Sequence, residues 1–281
     1  MKLTKILIPI DFSQAAATAI SYALMLARKL NVEMIIAHAY TAPIPSNGFV
    51  GVGTMTYPVP DNFPSYEEYY RNKIKEFLEN YPEFQTENYK LIMGVGAIEK
   101  FICQTAKDEN VDMILMGTEG IDSSIEEFFM GTLSEKVSRN APCPVLVIPE
   151  TIESYNIKNI GLALDKDNFF EISFKPDFFA KLLKTLDACI SLIHFSENDE
   201  KEINEKEVNE YYSKILNTEI VAFHCFNDAD PQEKISKFYW QNSIDVLTLI
   251  YRDHGFFEKL FNKGFRKELV FHSNLPLLIL K

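Results

Sequence analysis

The segment Met116-Gly117-Thr118-Glu119-Gly120, followed after ten residues by Gly131-Thr132-Leu133, is the stretch best suited to hold a ligand. Two glycines three positions apart let a backbone pass close to a phosphate chain and adopt positive φ. A Gly-Thr pair opening a helix would offer free N–H groups and the positive end of the helix dipole to an anion, with the Thr132 hydroxyl as a further donor. Asp11 closes the apolar run Ile6–Ile10 and places a carboxylate at a strand end. Each feature has a plainer reading. Thr132-x-x-Glu135 is a capping box that needs no ligand. Asp11 could cap the first helix or sit in a turn, and glycines at strand ends are often only turns.

Other chemistry finds little support. The chain lacks the G-x-x-x-x-G-K-[ST] phosphate loop. Its five histidines (His38, His194, His224, His254, His272) have no metal-ligand spacing, and the first three lie in apolar strands, where a hydrogen-bonded core imidazole is the commoner role. Cys103, Cys143, Cys189 and Cys225 are scattered without a C-x-x-C pair, which reads as reduced thiols and not as a metal or disulfide set. Asp122, Glu126 and Glu127 could approach Mg²⁺ or a γ-phosphate, but acids on an exposed loop are ordinary. Efficient turnover has no visible machinery.

The elements that must position these residues alternate. Residues 5–10 form a short apolar run, Ser13 is a fair N-cap, and Ile20, Ala23, Leu24, Ala27 and Leu30 recur at helical spacing. Strands are then expected at Met34–Ala39, Tyr89–Met93, Val111–Met116 and Pro144–Ile148. Helices are expected at Tyr66–Tyr81, Ile98–Glu109 and Leu133–Arg139. Continuously apolar strands alternating with helices imply an α/β fold: a mostly parallel, Rossmann-like open sheet covered on both faces. In such sheets ligands bind beyond the C-terminal strand ends, where strand order reverses, and Asp11 lies at such an end.

The pattern occurs twice. Lys5–Asp11 parallels Lys158–Asp165, Val111–Met116 parallels Ile244–Leu249, and Cys143–Ile148 parallels Leu275–Leu280. Three ordered matches argue for duplication into tandem domains at 1–150 and 157–281, joined by the polar stretch Glu150–Asn156. The chemistry is not repeated. Aligned from Asp245, Gly117 meets Ile250, Gly120 meets Asp253, and Thr132 meets Phe265, although Gly131 meets Gly264. The second copy is therefore read as having lost the site. Its dense aromatics, from Phe169 to Phe179 and from Phe256 to Phe265, are assigned mainly to core packing and to the interface with the first copy. The run Ser196–Lys214 is assigned to a solvated helix or loop.

Residues 1–150 resemble the universal stress protein family. Ile8–Ser13, Asp112–Gly117, the two glycine clusters and Cys143–Pro149 carry the likeness in order. Nucleotide-binding members have G-x-x-G, nine residues, then G-[S/T]; here the gap is ten. The resemblance implies an adenine nucleotide alpha hydrolase-like fold that holds ATP in the first domain only and hydrolyses it slowly at most. Asp11 and the backbone near Ala39 would hold adenosine, and Met116, Gly117, Gly120, Gly131, Thr132 and Leu133 the phosphates, with or without Mg²⁺. It also implies a stress-response module whose nucleotide occupancy alters association with a protein partner. Relatives commonly pair through their last strands, so Pro144–Ile148 and Pro276–Ile279 are expected to form an internal pseudo-dimer; a homodimer is a further option.

Bulk properties narrow the partners. The net charge of −12 is spread along the chain, with 12 basic and 19 acidic side chains in residues 1–150 and 16 and 21 in the rest. Such a balance repels nucleic acid but does not bar one nucleotide held by backbone N–H groups. No apolar run can span a membrane, and Pro9 and Asp11 interrupt a signal-peptide core, so a cytoplasmic location is expected. Thr41–Ser65, with five prolines and three glycines, is too long for a simple connection and reads either as a segment that covers a ligand or, equally, as a mobile, inert insertion.

Overall fold

The structure, a computed structural model, describes residues 3–40, 65–86, 89–118, 132–152, 155–164, 169–196, 204–227, 244–251 and 275–281. Gly120, Gly131, Asp165 and most of Thr41–Ser65 lie outside the described residues, as do the loop acids Asp122, Glu126 and Glu127. In the N-terminal half β1 (Lys5–Pro9), β2 (Glu33–Tyr40), β3 (Tyr89–Val95), β4 (Met113–Thr118) and β5 (Val145–Pro149) alternate with helices. These are α1 (Gln14–Leu30), α2 (Tyr66–Leu78), the single turn α3 (Glu83–Thr86), α4 (Ile98–Asp108) and α5 (Thr132–Asn140). The C-terminal half supplies β6 (Asn159–Leu164), α6 (Pro176–Leu186), β7 (Cys189–Ser196), α7 (Glu205–Leu216), β8 (Ile220–Asn227), β9 (Val246–Ile250) and β10 (Leu277–Leu280).

Among the described residues ten strands form one sheet in the order β3-β2-β1-β4-β5-β10-β9-β6-β7-β8. Every pairing is parallel except the central one, where β10 runs antiparallel to β5 with Leu278 opposite Leu146. Each half is thus an open parallel sheet with the same strand order, and the expected pairing of last strands within one chain joins them. Registers match as well: Ile6 sits opposite Met113 in one half, and Ile160 opposite Val246 in the other. Strand order reverses between β1 and β4 on one side and between β6 and β9 on the other.

Period-2 alternation sends the strand residues to two faces. One face packs α1 and α6 over a core that crosses the seam, from Leu7's neighbours Ile6 and Ile8 through Leu146 and Leu278 to Leu162 and Phe179. The opposite face of the N-terminal half is covered by α4 and α5, with Ile102, Ala106 and Val137 buried there. Fully buried Tyr22, Leu26 and Phe179 are the type of side chain that contributes about 1.5–3 kcal/mol each by leaving water.

One expectation holds only in part. The segment assigned to a solvated helix or loop is largely helix α7, which is exposed on its polar side but buries Val208, Tyr212 and Leu216 in the core. Its Glu, Lys and Asn residues hid a stripe spaced four residues apart. Among the aromatics of this half, Phe174, Phe178 and Phe179 are buried as expected, whereas Phe170 is largely exposed.

Candidate functional site

At the end of β1 the chain makes a tight turn set by three hydrogen bonds. The Ser13 N–H (3.0 Å) and hydroxyl (2.6 Å) both donate to Asp11 Oδ1, and Ser13 Oγ in turn accepts the Ala16 N–H at 3.1 Å, capping α1. Between them Phe12 has φ of 69°. A bulky residue in this left-handed region carries a backbone cost of about 1–3 kcal/mol that neighbouring contacts must offset. Its ring packs 4.8 Å from His38 and 5.6 Å from Phe77, with Lys73 Nζ 4.3 Å above it. The twist sends the Phe12 ring to one face of the sheet and leaves Asp11 and Ser13 on a cleft at the other.

β2 divides in the same way. Ala37 and Ala39 line the cleft, while His38 between them points into the α1–α2 side, its Nδ1 2.8 Å from the Ile10 carbonyl oxygen. His194 repeats this contact in the other half, its Nδ1 3.2 Å from the Leu164 carbonyl oxygen. Both are core imidazoles, as expected; His224, on edge strand β8, is only half-buried.

Gly117, the penultimate residue of β4, lies beside the turn. A Cβ at this position would overlap the backbone carbonyl of Ala15 in the first turn of α1. The glycine is therefore required by the approach of strand to helix, whether or not a phosphate passes nearby. α5 begins at the far wall, where Leu133 and the buried Ser134 face the cleft. Glu135 Oε1 accepts from Arg139 Nε at 3.0 Å, one turn further along, and the Thr132 side chain lies outside what is described.

These pieces enclose a cleft of about 280 Å³ at the point where strand order reverses. Of the eight residues expected at the site, Asp11, Ala39, Met116, Gly117 and Leu133 converge on it. Gly120 and Gly131 are not described. Sequence reasoning missed Ile98 and Ile102 of α4, which form an apolar wall, and Ser134, two positions beyond Thr132 in the first turn of α5. Small side chains at Ala15, Ala16, Ala37 and Ala39 leave the space open, and Asp11 is the sole ionisable group among the described lining residues. The described residues contain no cluster of three or more His, Cys, Asp or Glu able to hold a metal.

Residues 2–149 match the family model described as the universal stress protein family. The chain belongs to the universal stress protein family. A universal stress protein of Bacillus subtilis, YxiE, is 32% identical over 152 residues, covering 51% of this chain and 97% of its own. Family likeness extends to the architecture of both halves. A universal stress protein from Archaeoglobus fulgidus has the same fold over 100% of this chain and 99% of its own, at 16% identity and a TM-score of 0.66. A second from Pseudomonas aeruginosa covers 99% of this chain and 93% of its own at 13% identity and a TM-score of 0.64. Among the described residues no helix is long and apolar enough to cross a membrane.

Proposed function

We propose that the N-terminal half binds an adenine nucleotide, ATP with a divalent cation such as Mg²⁺, and that occupancy alters association with a protein partner. One observation carries the reading: Asp11, Ala39, Met116, Gly117 and Leu133, spread over more than a hundred residues of the chain, share one cleft at the strand-order reversal. Ala37, Ala39, Ile98 and Ile102 offer an apolar slot for a base, and the Asp11 carboxylate can accept from ribose hydroxyls. Phosphates would lie toward the start of α5, where helix N–H groups point outward. With no cation among the described lining, a divalent ion must neutralise part of the triphosphate charge.

The two domains are taken as 1–150 and 157–281, with nucleotide held by the first alone. The sheet register aligns Ile250 with Gly117, and a branched side chain there removes the close approach that a phosphate needs. Titration calorimetry with ATP and Mg²⁺ tests the proposal. Binding to the wild type, lost in Ala39→Leu and weakened in Asp11→Ala, is expected; no heat at millimolar ATP refutes it.

A second reading, a scaffold that keeps the fold without a ligand, is favoured by the Gly117–Ala15 contact, which preserves the glycine with nothing bound. Absorbance of the supernatant from heat-denatured purified protein separates the two: released nucleotide supports the first, and none together with silent calorimetry supports the second.

A further inference from the structure

α5 is held at both ends by different halves of the molecule. Its first turn, with Leu133 and Ser134, faces the cleft. Its last turn receives Lys281, the residue after β10, whose Nζ donates to the Arg139 carbonyl oxygen at 2.8 Å. That ammonium also lies 3.7 Å from the centroid of the Tyr251 ring, just beyond β9. The backbone of Lys281 is fixed too, since its carbonyl oxygen accepts the Lys175 N–H at 3.1 Å, in front of α6. Tyr251 is tied by its own N–H to the Leu280 carbonyl oxygen at 3.0 Å. The C-terminal half thus builds a rigid arm and presses its charge onto the negative end of α5.

We infer that Lys281 is a positioning residue for the cleft: it fixes α5 from its C-terminus so that the first turn, about 13 Å away along a nine-residue helix, meets the ligand. The inference rests on the reading of the cleft as a nucleotide site. A cation on the last-turn carbonyls opposes the negative pole of the macrodipole and satisfies an acceptor that the helix cannot pair internally. On the same turn Asn140 Nδ2 donates to Glu99 Oε1 at 3.1 Å, a contact open to water. Short helices are marginal on their own, so α5 depends on such tertiary ties to keep its first turn in place. This gives the half that has Ile250 at the position of Gly117 a task at the site it does not itself contain.

Calorimetry with ATP and Mg²⁺ on full-length wild type, Lys281→Met and Lys281→Arg, at a temperature where circular dichroism shows all three folded, tests the inference. Lys281→Met is expected to bind roughly three- to tenfold more weakly. Lys281→Arg, which keeps a donor and a charge, is expected to recover most of the affinity. A merely structural role would lower the melting temperature without this affinity loss and rescue. Without nucleotide, α5 amides are also expected to exchange faster in Lys281→Met than in the wild type. Equal affinity of wild type and Lys281→Met overturns the inference while leaving the nucleotide site standing. No binding by the wild type overturns the site itself, and this inference with it. Should Lys281→Met fail to fold, Tyr251→Leu removes the ring beneath the ammonium and must weaken binding in the same direction; unchanged affinity there is equally fatal.

Discussion

The carboxylate of Asp112 accepts the backbone N–H of Thr4 at 2.6 Å, fastening the start of β4 to the start of β1. The same Oδ2 takes the Thr4 hydroxyl at 2.9 Å and the Lys5 N–H at 3.0 Å. Asp245 does the same work for the other half, accepting from the N–H groups of Lys158 at 2.6 Å and Asn159 at 2.8 Å. Each clamp sits on the rim opposite the ligand end, at the strand pair where order reverses. Asp112→Ala is expected to destabilise the fold by about 1–2 kcal/mol, near the lower end for charged hydrogen bonds because water reaches these groups. Asp245→Ala should cost a similar amount. Urea midpoints with unchanged slopes would register both losses.

Gly117→Ala tests whether the strand–helix approach or a ligand demands the glycine. The added methyl meets the Ala15 carbonyl, which is backbone and cannot swing aside as a side chain would. Overpacking of this kind costs about 1–3 kcal/mol. The expected result is a lower melting temperature in nucleotide-free protein. A Gly117→Ala protein that melts like the wild type would mean that the contact is soft and that only a ligand explains the residue. For the same reason Gly117 variants are poor ligand-null controls, and Ala39→Leu, which projects into the cleft, is the cleaner one.

Most of the fold was legible because its strands are short, fully apolar and separated by turn formers, as in Ile6–Ile10 and Val145–Ile148. The duplication was legible because both copies end on a Cys/Leu-Pro-apolar phrase, and the seam only through the family resemblance. Of the cleft residues, Asp11 and Gly117 were legible from residue type and position, whereas Ala39, Met116 and Leu133 were legible only through the family resemblance. Ile98 and Ile102 were not: an apolar pair at helical spacing looks the same whether it faces a core or a cleft. The buried stripe of α7, Val208, Tyr212 and Leu216, is hard to see in the sequence because polar and charged neighbours outnumber it. The twist at Phe12 left no trace in sequence, since nothing about a phenylalanine announces a φ of 69°.

Two thiols set an alkaline limit on stability. Burial, reinforced by Glu99 and eased by Lys281, pushes Cys103 up to about 11. Burial, with the neighbouring Cys103 adding to it, pushes Cys143 up to about 12. An ordinary thiol ionises near 9.0. Between these values the folded chain holds protons that the unfolded chain has released, so stability is intact below about pH 9 and falls as pH rises toward 11 to 12. Burial raises the Tyr22 phenol as well, which steepens the loss. Melting temperatures from pH 7 to 11 should be level at first and then drop, and Cys143→Ala should shallow the drop. Alkylation of native protein at pH 8 should reach exposed Cys189 and Cys225 well before Cys143.

The seam makes a prediction about assembly. β5 and β10 pair through Leu146 and Leu278, with Val145 opposite Ile279 and Val147 opposite Leu277, and all six side chains are buried. Because each strand already has its partner in the same chain, a second copy cannot add at this edge as it could to a single half. Leu278→Lys places an ammonium in the shared core beside Leu146, where an unpaired charge is strongly disfavoured. Release of β10 would leave β5 as a bare apolar edge, the kind that recruits another strand. Size-exclusion chromatography with light scattering is therefore expected to show Leu278→Lys shifting to a concentration-dependent dimer or larger species, while Leu278→Ile keeps the mass of the wild type. A Leu278→Lys protein with unchanged mass and an unchanged melting temperature would mean that the antiparallel pairing contributes little to holding the halves together.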